Sequence, residues 1–279
     1  MVGIVTAILL ALPLSVLSRS HQYGSPSLRR RHHQLASRVI QDIDCRASTY
    51  KLVDNYDKNS FFDMVDFFSE DDPTHGLVDY VPRGEAFGSG LAAVQGDGTI
   101  LLAVDSTTQL KPGDHRKSVR VSSKKSYNAG TLFLADIKAM PTGCSLWPAY
   151  WSVGPNWPNA GEIDILGEFR QLFTSQATLR ILEMTEGVNG QDVNQVTLHT
   201  SNTCTKVQRT TNTTGRQLGT TCLSSGNNNE GCAFVMDDNK SHGQGFNANG
   251  GGVFAHTWDE DAINVWFFPR NAIPQGLIH

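Results

Sequence analysis

The sequence has no surplus of positive charge: 23 Lys and Arg stand against 27 Asp and Glu, a net charge of −4. Without extra cations to follow a phosphate backbone, nothing here points to nucleic acid as a partner. Beyond the N-terminus no stretch reaches the about 20 apolar residues that a membrane span needs. No CxxC pair occurs among the five cysteines, which argues against a zinc site. Internal repeats are lacking, and so is any linker that would divide the 279 residues into two domains. What is plentiful fits one loop-rich globular domain: 39% hydrophobic residues, enough for a sizeable core, with 26 Gly and 11 Pro between short segments.

The N-terminal stretch Met1–Ser18 (MVGIVTAILLALPLSVLS) is apolar and ends in small residues. It is expected to be a secretory signal peptide, although the usual basic residue ahead of the apolar core is missing; a signal anchor is the alternative. Residues 19–33 are expected to form a short propeptide that ends near Arg29-Arg30-Arg31, a tract that reads equally well as a solvated charge cluster. Export means an oxidising compartment, so Cys45, Cys144, Cys204, Cys222 and Cys232 are expected to form disulfides, with one left over. The tripeptides beginning at Asn212 and Asn239 are glycosylation sequons.

From Tyr50 to Arg270 short apolar or alternating runs recur, including 99–104, 118–122, 131–137, 195–200 and 262–268. Turn-rich segments at 72–76, 95–98 and 111–114 separate them, so an antiparallel sandwich or jelly roll is expected. Segments 226–231 (GNNNEG) and 247–252 (NANGGG) read as loops, and 169–185 has helix-like spacing that breaks the strand rhythm.

Chemistry concentrates in 147–166, WPAYWSVGPNWPNAGEIDIL. Trp147, Trp151 and Trp157, set among Pro and Gly, suit a cleft in which flat rings stack on sugar faces, while one of the first two could instead fill the core. In Glu162-Ile163-Asp164-Ile165 the strand period of two puts both carboxylates on one face and both isoleucines on the other. Neighbouring carboxylates raise one another's pKa, which is useful for acid/base work and costly elsewhere.

The segments FFDMVDFFSEDDPTHGLVDYV, VDSTT, SVRVSSKKSY, WPAYWSVGPNWPNAGEIDI, EGVNGQDVNQVTLHTS, FNANGGGVFA and VWFFPR together resemble glycoside hydrolase family 16. The likeness is to the fungal secreted endo-1,3(4)-β-glucanases of laminarinase type, and it spans roughly residues 50–274. It implies an all-β jelly-roll sandwich of the concanavalin A type and retaining hydrolysis of β-glucan by two glutamates. The family motif Glu-x-Asp-x-x-Glu carries nucleophile, helper and acid/base in that order. That makes Glu162 the expected nucleophile and Asp164 the helper.

The third position departs from the motif, because five residues after Glu162 stands Gly167. Glu168 and Glu186 are the candidates for the acid/base. Six strand steps to Glu168 span roughly 20 Å, too far for a pair that must sit about 5–5.5 Å apart. In the family a bulge absorbs one residue and leaves roughly 13 Å between backbones. Removing 167–185 joins GEIDIL to EGVNGQDVNQ, which restores the motif with Glu186 as its third member. The excess of 19 residues is in frame, and codons for 167–169 and 185–186 can carry an intron's start and end, so an unspliced intron is expected. A natural insertion is the rival, and transcript sequencing across the junction decides between them. Such an insertion is expected to disturb the sheet ladder and weaken activity.

Family members also continue past VWFFPR, so the C-terminal strands and a cysteine partner are expected to be missing. By the same likeness His199 lines the cleft beside the acid/base, with a structural role as the alternative. Arg120 is expected to point towards the nucleophile or to form a structural ion pair, and Asn189 and Gln191 to meet sugar hydroxyls, unless Asn189-Gly190 is an ordinary turn. Asp71, Asp72 and His75 form a turn rather than a metal site. The expected protein is a secreted, monomeric β-glucanase of the extracellular space or cell wall, without metal or cofactor. A non-catalytic glucan-binding jelly roll and a glucan transglycosylase are the alternatives.

Overall fold

The computed structural model describes residues 5–11, 50–143, 146–167, 192–201, 213–225, 229–259 and 262–277. Glu168, Glu186, Asn189, Gln191, Cys45, Cys144, Cys204, Arg29–Arg31, Asn212 and the helix-like stretch 169–185 lie outside the described residues.

Two five-stranded antiparallel sheets make the expected jelly-roll sandwich. The first sheet runs in the order β16 (Ile263–Pro269), β15 (Gly252–Trp258), β9 (Thr131–Ile137), β1 (Val5–Ala11), β2 (Lys51–Tyr56). The second runs β10 (Tyr150–Val153), β11 (Glu162–Leu166), β12 (Gln195–His199), β14 (Cys232–Val235), β13 (Arg216–Leu218). Smaller pairs join β3 (Val65–Phe68) to β8 (Arg120–Ser123), β4 (Val78–Tyr80) to β7 (Arg116–Ser118), and β5 (Ala92–Val94) to β6 (Ile100–Leu102); only β4 and β7 run parallel. Two short helices, α1 (Arg83–Gly88) and α2 (Gly243–Ala248), bury Ala86 and Phe246 respectively.

Alternation explains how the layers meet. Ala135 and Ile137 of β9 and Phe254 of β15 pack with Ile165 and Leu166 of β11 and with Phe246 of α2 in one buried cluster. The apolar side of the carboxylate strand therefore faces the core between the sheets, and its acidic side faces away. A second cluster, around Phe61, Phe62, Ile100 and Phe133, fills the other end.

Two expectations change. NANGGG is not one loop, because its first two residues finish α2 and Gly252 opens β15. The expected damage to the ladder is confined to its end: Glu162, Ile163 and Asp164 stay paired with His199, Leu198 and Thr197, while Ile165 and Leu166, next to the extra residues, have no ladder partner on β12. The buried Asn194 closes the gap at its base. Its side-chain NH₂ donates to Ile165 O (2.7 Å), its Oδ1 accepts from Gly167 N (3.1 Å), and its own N–H donates to Ser241 Oγ (2.8 Å). The excursion thus starts and ends on one clamp, and the strands on either side keep their register. Turns at 72–76, 95–98 and 111–114 form as read, the first held by Asp72, whose carboxylate accepts from Thr74 and Gly76.

Candidate active site

Strand β11 sits between β10 and β12 and presents Glu162 and Asp164 on the side away from the core. The pairing contains a bulge: Trp151 faces Asp164 and Tyr150 faces Leu166, so one step on β10 spans two on β11. The bulge explains why Ile165 and Leu166, though adjacent, are both buried. It also returns Gly167 to the acidic face after five residues. A Cβ placed at Gly167 would lie 3.6 Å from the Cβ of Asp164, ordinary contact, so that face has room for a side chain there.

His199 of β12 stands opposite Glu162 in the ladder, and its Nε2 lies 3.2 Å from Asp164 Oδ2. Its Nδ1 is 2.8 Å from the hydroxyl of the buried Ser224. One atom from each of Glu162, Asp164 and His199 falls within 4.8 Å of the others, the one group among the described residues with spacing suited to a cation. Burial of the Glu162 carboxyl raises its pKa, and the charge of Asp164 raises it further. A hydrogen bond from Trp157 and the positive potential of His199 and Arg120 pull the other way.

Trp157, expected to stack on sugar, is also tied to Glu162. Its indole N–H donates to Glu162 Oε2 at 2.6 Å, with the ring tilted against His199 at 6.5 Å between centroids. The turn 154–161 that delivers it closes with Gly154 N to Gly161 O at 2.9 Å. Gly154 is needed there, since a Cβ would meet the Cβ of Ala160 at 2.4 Å.

Trp151, half-buried, lies on the same side as Asp164 and is covered by the Arg120 guanidinium 4.9 Å from its ring. Arg120 also stacks on Phe68 at 4.4 Å and Tyr80 at 5.8 Å. The expected alternative of a structural ion pair gives way to an aromatic clamp, with Arg120 Nε buried and unpartnered. Trp147 is half exposed.

The groups that hold His199 were not foreseen from the sequence. Cys222 and Cys232 form a disulfide; Cys232 pairs with Leu198, while Thr200 N donates to Cys222 O and Ser224 N to Thr200 O. Gly231, at φ +64°, packs under the imidazole, where a Cβ would come 2.9 Å from the ring. A cysteine pair flanking a glycine-rich segment was the only signal in one dimension.

A family model described as the XgeA-like catalytic domain of glycoside hydrolase family 16 matches residues 65–279. The chain belongs to glycoside hydrolase family 16. An endo-1,3(4)-β-glucanase of Emericella nidulans is 37% identical over 257 residues, covering 91% of this chain and 37% of that protein. A structure described as an elongating family 16 β-1,3-glucosyltransferase superposes with TM-score 0.69 at 38% identity, covering 81% of this chain and 69% of the other. Laminarinase 16A of Phanerochaete chrysosporium, a family 16 structure with two β-glucans in its donor and acceptor sites, gives TM-score 0.68 at 36% identity, over 79% of this chain and 67% of the other. The chain spans about a third of the length of the first curated glucanases it matches.

Proposed function

We propose that this chain is an endo-β-glucanase that cuts β-1,3 or mixed β-1,3/1,4 glucans with retention of configuration. The observation that carries the reading is the convergence of Glu162, Asp164 and His199 on one face of the second sheet, with the Trp157 indole bonded to Glu162. Glu162 attacks the anomeric carbon as the glycosidic C–O bond breaks, and Glu186, which takes the place of Gly167 once residues 167–185 are excised, delivers a proton to the leaving oxygen. Water, deprotonated by Glu186, then attacks the glycosyl ester and releases Glu162. Asp164, bridged to His199, orients the nucleophile and tunes its ionisation. Trp147, Trp151, Trp157, His199, Asn189 and Arg120 contact sugar rings or hydroxyls. Nothing in this scheme calls for a metal or a cofactor.

The Cys222–Cys232 disulfide supports export to an oxidising space, where a monomer would meet extracellular or cell-wall glucan. Incubation of the form lacking residues 167–185 with laminarin, read by reducing-sugar release and by proton NMR of the first product, tests the proposal. Release of β-anomeric ends that disappears in Glu162→Gln is expected. Binding without cleavage would leave the lectin-like reading, and α-anomeric product would exclude a retaining pair. The similarity to a β-1,3-glucosyltransferase favours one second reading, transfer to another glucan. Products longer than the starting oligosaccharide would show it.

A further inference from the structure

Two backbone groups on the carboxylate strand find their partners on a side chain rather than on a strand. Beyond Asp164, which is paired with Thr197, β11 has no ladder partner on β12, and its last pair on β10 is Leu166 with Tyr150. Ile165 O and Gly167 N are served instead by the amide of Asn194, the residue just before β12. Its NH₂ donates to Ile165 O at 2.7 Å, and its Oδ1 accepts from Gly167 N at 3.1 Å. A primary amide carries donor and acceptor side by side, the pair that a residue of a neighbouring strand would offer. The two groups it bridges flank Leu166, so Asn194 holds the bulge from the side of β12.

Asn194 can serve as a fixed post because it is held from behind. It is fully buried. Its own N–H donates to Ser241 Oγ at 2.8 Å, and that hydroxyl donates to Asp238 O at 2.6 Å. Its carbonyl accepts from Met236 N at 2.8 Å, one residue past the end of β14. Both main-chain groups are thus engaged on the side of β14, and the side-chain amide is what reaches β11. Ile165 and Leu166 are buried, and a polar group left unpaired there is costly, which favours the bulged geometry that the amide can bridge.

The bulge decides where residue 167 stands relative to Glu162. With it, five residues make four effective steps, roughly 13 Å of backbone, and position 167 shares the face of Glu162 and Asp164. Without it, five full steps turn a side chain at 167 to the opposite face. We infer that Asn194 is a positioning residue for the acid/base: by bridging Ile165 O and the N–H at position 167, it fixes the bulge that aims the side chain at 167 towards Glu162. The inference rests on the catalytic reading above, in which Glu186 takes the place of Gly167 once 167–185 are excised. Glu162 does not need the bridge, since it is paired with Val153 of β10 and with His199 of β12.

The test compares substrates that do and do not need a proton on the leaving group, in the form lacking 167–185. Misplacing a reacting group by about 1 Å costs on the order of 10²-fold in rate. Asn194→Ala should therefore lower kcat/KM about 100-fold on laminarin and less than about 3-fold on β-laminaribiosyl fluoride, whose fluoride departs unassisted. A residue that merely supported the fold would lower both alike. If Asn194→Ala does not fold, Asn194→Asp keeps the shape and the acceptor but loses the donor to Ile165 O, and it should show the same selectivity at smaller size. In the full chain, NMR-detected exchange of the Gly167 amide should be as slow as that of 162–164, and Asn194→Ala should speed it up alone. Equal losses on the two substrates, no loss on either, or a Gly167 amide that ignores the substitution would overturn the inference. Failure of the catalytic reading looks different: the form lacking 167–185 would then release no sugar, or as much after Glu162→Gln, and the inference would fall with it.

Discussion

Placing a glutamate at Gly167 in the otherwise unchanged chain should raise glucan hydrolysis. Five residues separate Gly167 from Glu162, but the bulge at Ile165 reduces this to four effective steps, roughly 13 Å of backbone. An even number of steps keeps position 167 on the face of Glu162 and Asp164, in agreement with the 3.6 Å between a Cβ added at Gly167 and the Cβ of Asp164. A retaining pair works at about 5–5.5 Å, so the two side chains must together close about 8 Å by leaning inwards. General acid–base assistance is worth about 10²–10⁴ in rate, or roughly 3–5 kcal/mol of barrier. Gly167→Glu should therefore gain on that scale with laminarin and much less with a glucosyl fluoride, whose leaving group departs without a proton. Deleting 167–185 puts Glu186 at the same place and should give a similar gain, whereas Gly167→Gln should give none. The assay is initial-rate release of reducing sugar and of fluoride. A folded Gly167→Glu protein with no gain on laminarin, or an equal gain on both substrates, would refute the geometric reasoning.

The acid limb of kcat/KM reports the nucleophile, which must be ionised to attack, so raising the pKa of Glu162 moves that limb to higher pH than an ordinary glutamate gives. Trp157→Phe removes a hydrogen bond that favours the charged form and should push the limb higher still; Asp164→Asn removes a charge that disfavours it and should push it lower. Both shifts are read from pH–rate profiles, and movement of both variants in one direction would contradict the assignment. His256 is buried against Phe133, neither ring nitrogen has a partner, and burial pulls its pKa down to about 3. The unfolded chain binds a proton near pH 6.5 and the fold does not until about 3, so stability is intact above 6.5 and falls between them by at most about 1.4 kcal/mol per unit. Urea titrations from pH 7 to 4 should show this slope and its reduction in His256→Phe. Replacing Cys222 and Cys232 together by Ser opens a loop with a sequence separation of 10 and should cost about 3 kcal/mol, measurable by denaturant unfolding.

How much of this the sequence carried depends on whether the signal was local. The alternation Glu162-Ile163-Asp164-Ile165 placed both carboxylates on one face because strand period is a local property, and the structure agrees. The runs at 131–137 and 195–200 became β9 and β12 for the same reason. The bulge had a trace in the adjacent apolar pair Ile165-Leu166, yet only the pairing with β10 reveals it. The link between His199 and its supports was illegible, since Ser224, Gly231 and the disulfide reach it from 23 or more residues away in sequence. Trp157 was legible as a cleft aromatic, but its hydrogen bond to Glu162 depends on how the turn 154–161 folds back. The expected damage to the ladder stays confined to Ile165 and Leu166 because Asn194 clamps both ends of the excursion, a contact that no periodicity encodes. Val5–Ala11 shows the limit of apolarity as a signal, because a leader and a strand paired on both edges look alike in one dimension.

Central to the mechanism is Glu162 as the group that bonds to sugar. A 2-deoxy-2-fluoro laminaribiosyl fluoride slows breakdown of the glycosyl ester, and its fluoride leaves unassisted, so labelling does not depend on which residue serves as acid. Incubation followed by peptide mass mapping should find one fluorosugar adduct on Glu162, absent in Glu162→Gln and chased off by added laminarin oligosaccharide. An adduct on another carboxylate, or steady laminarin cleavage with no adduct at all, would contradict it.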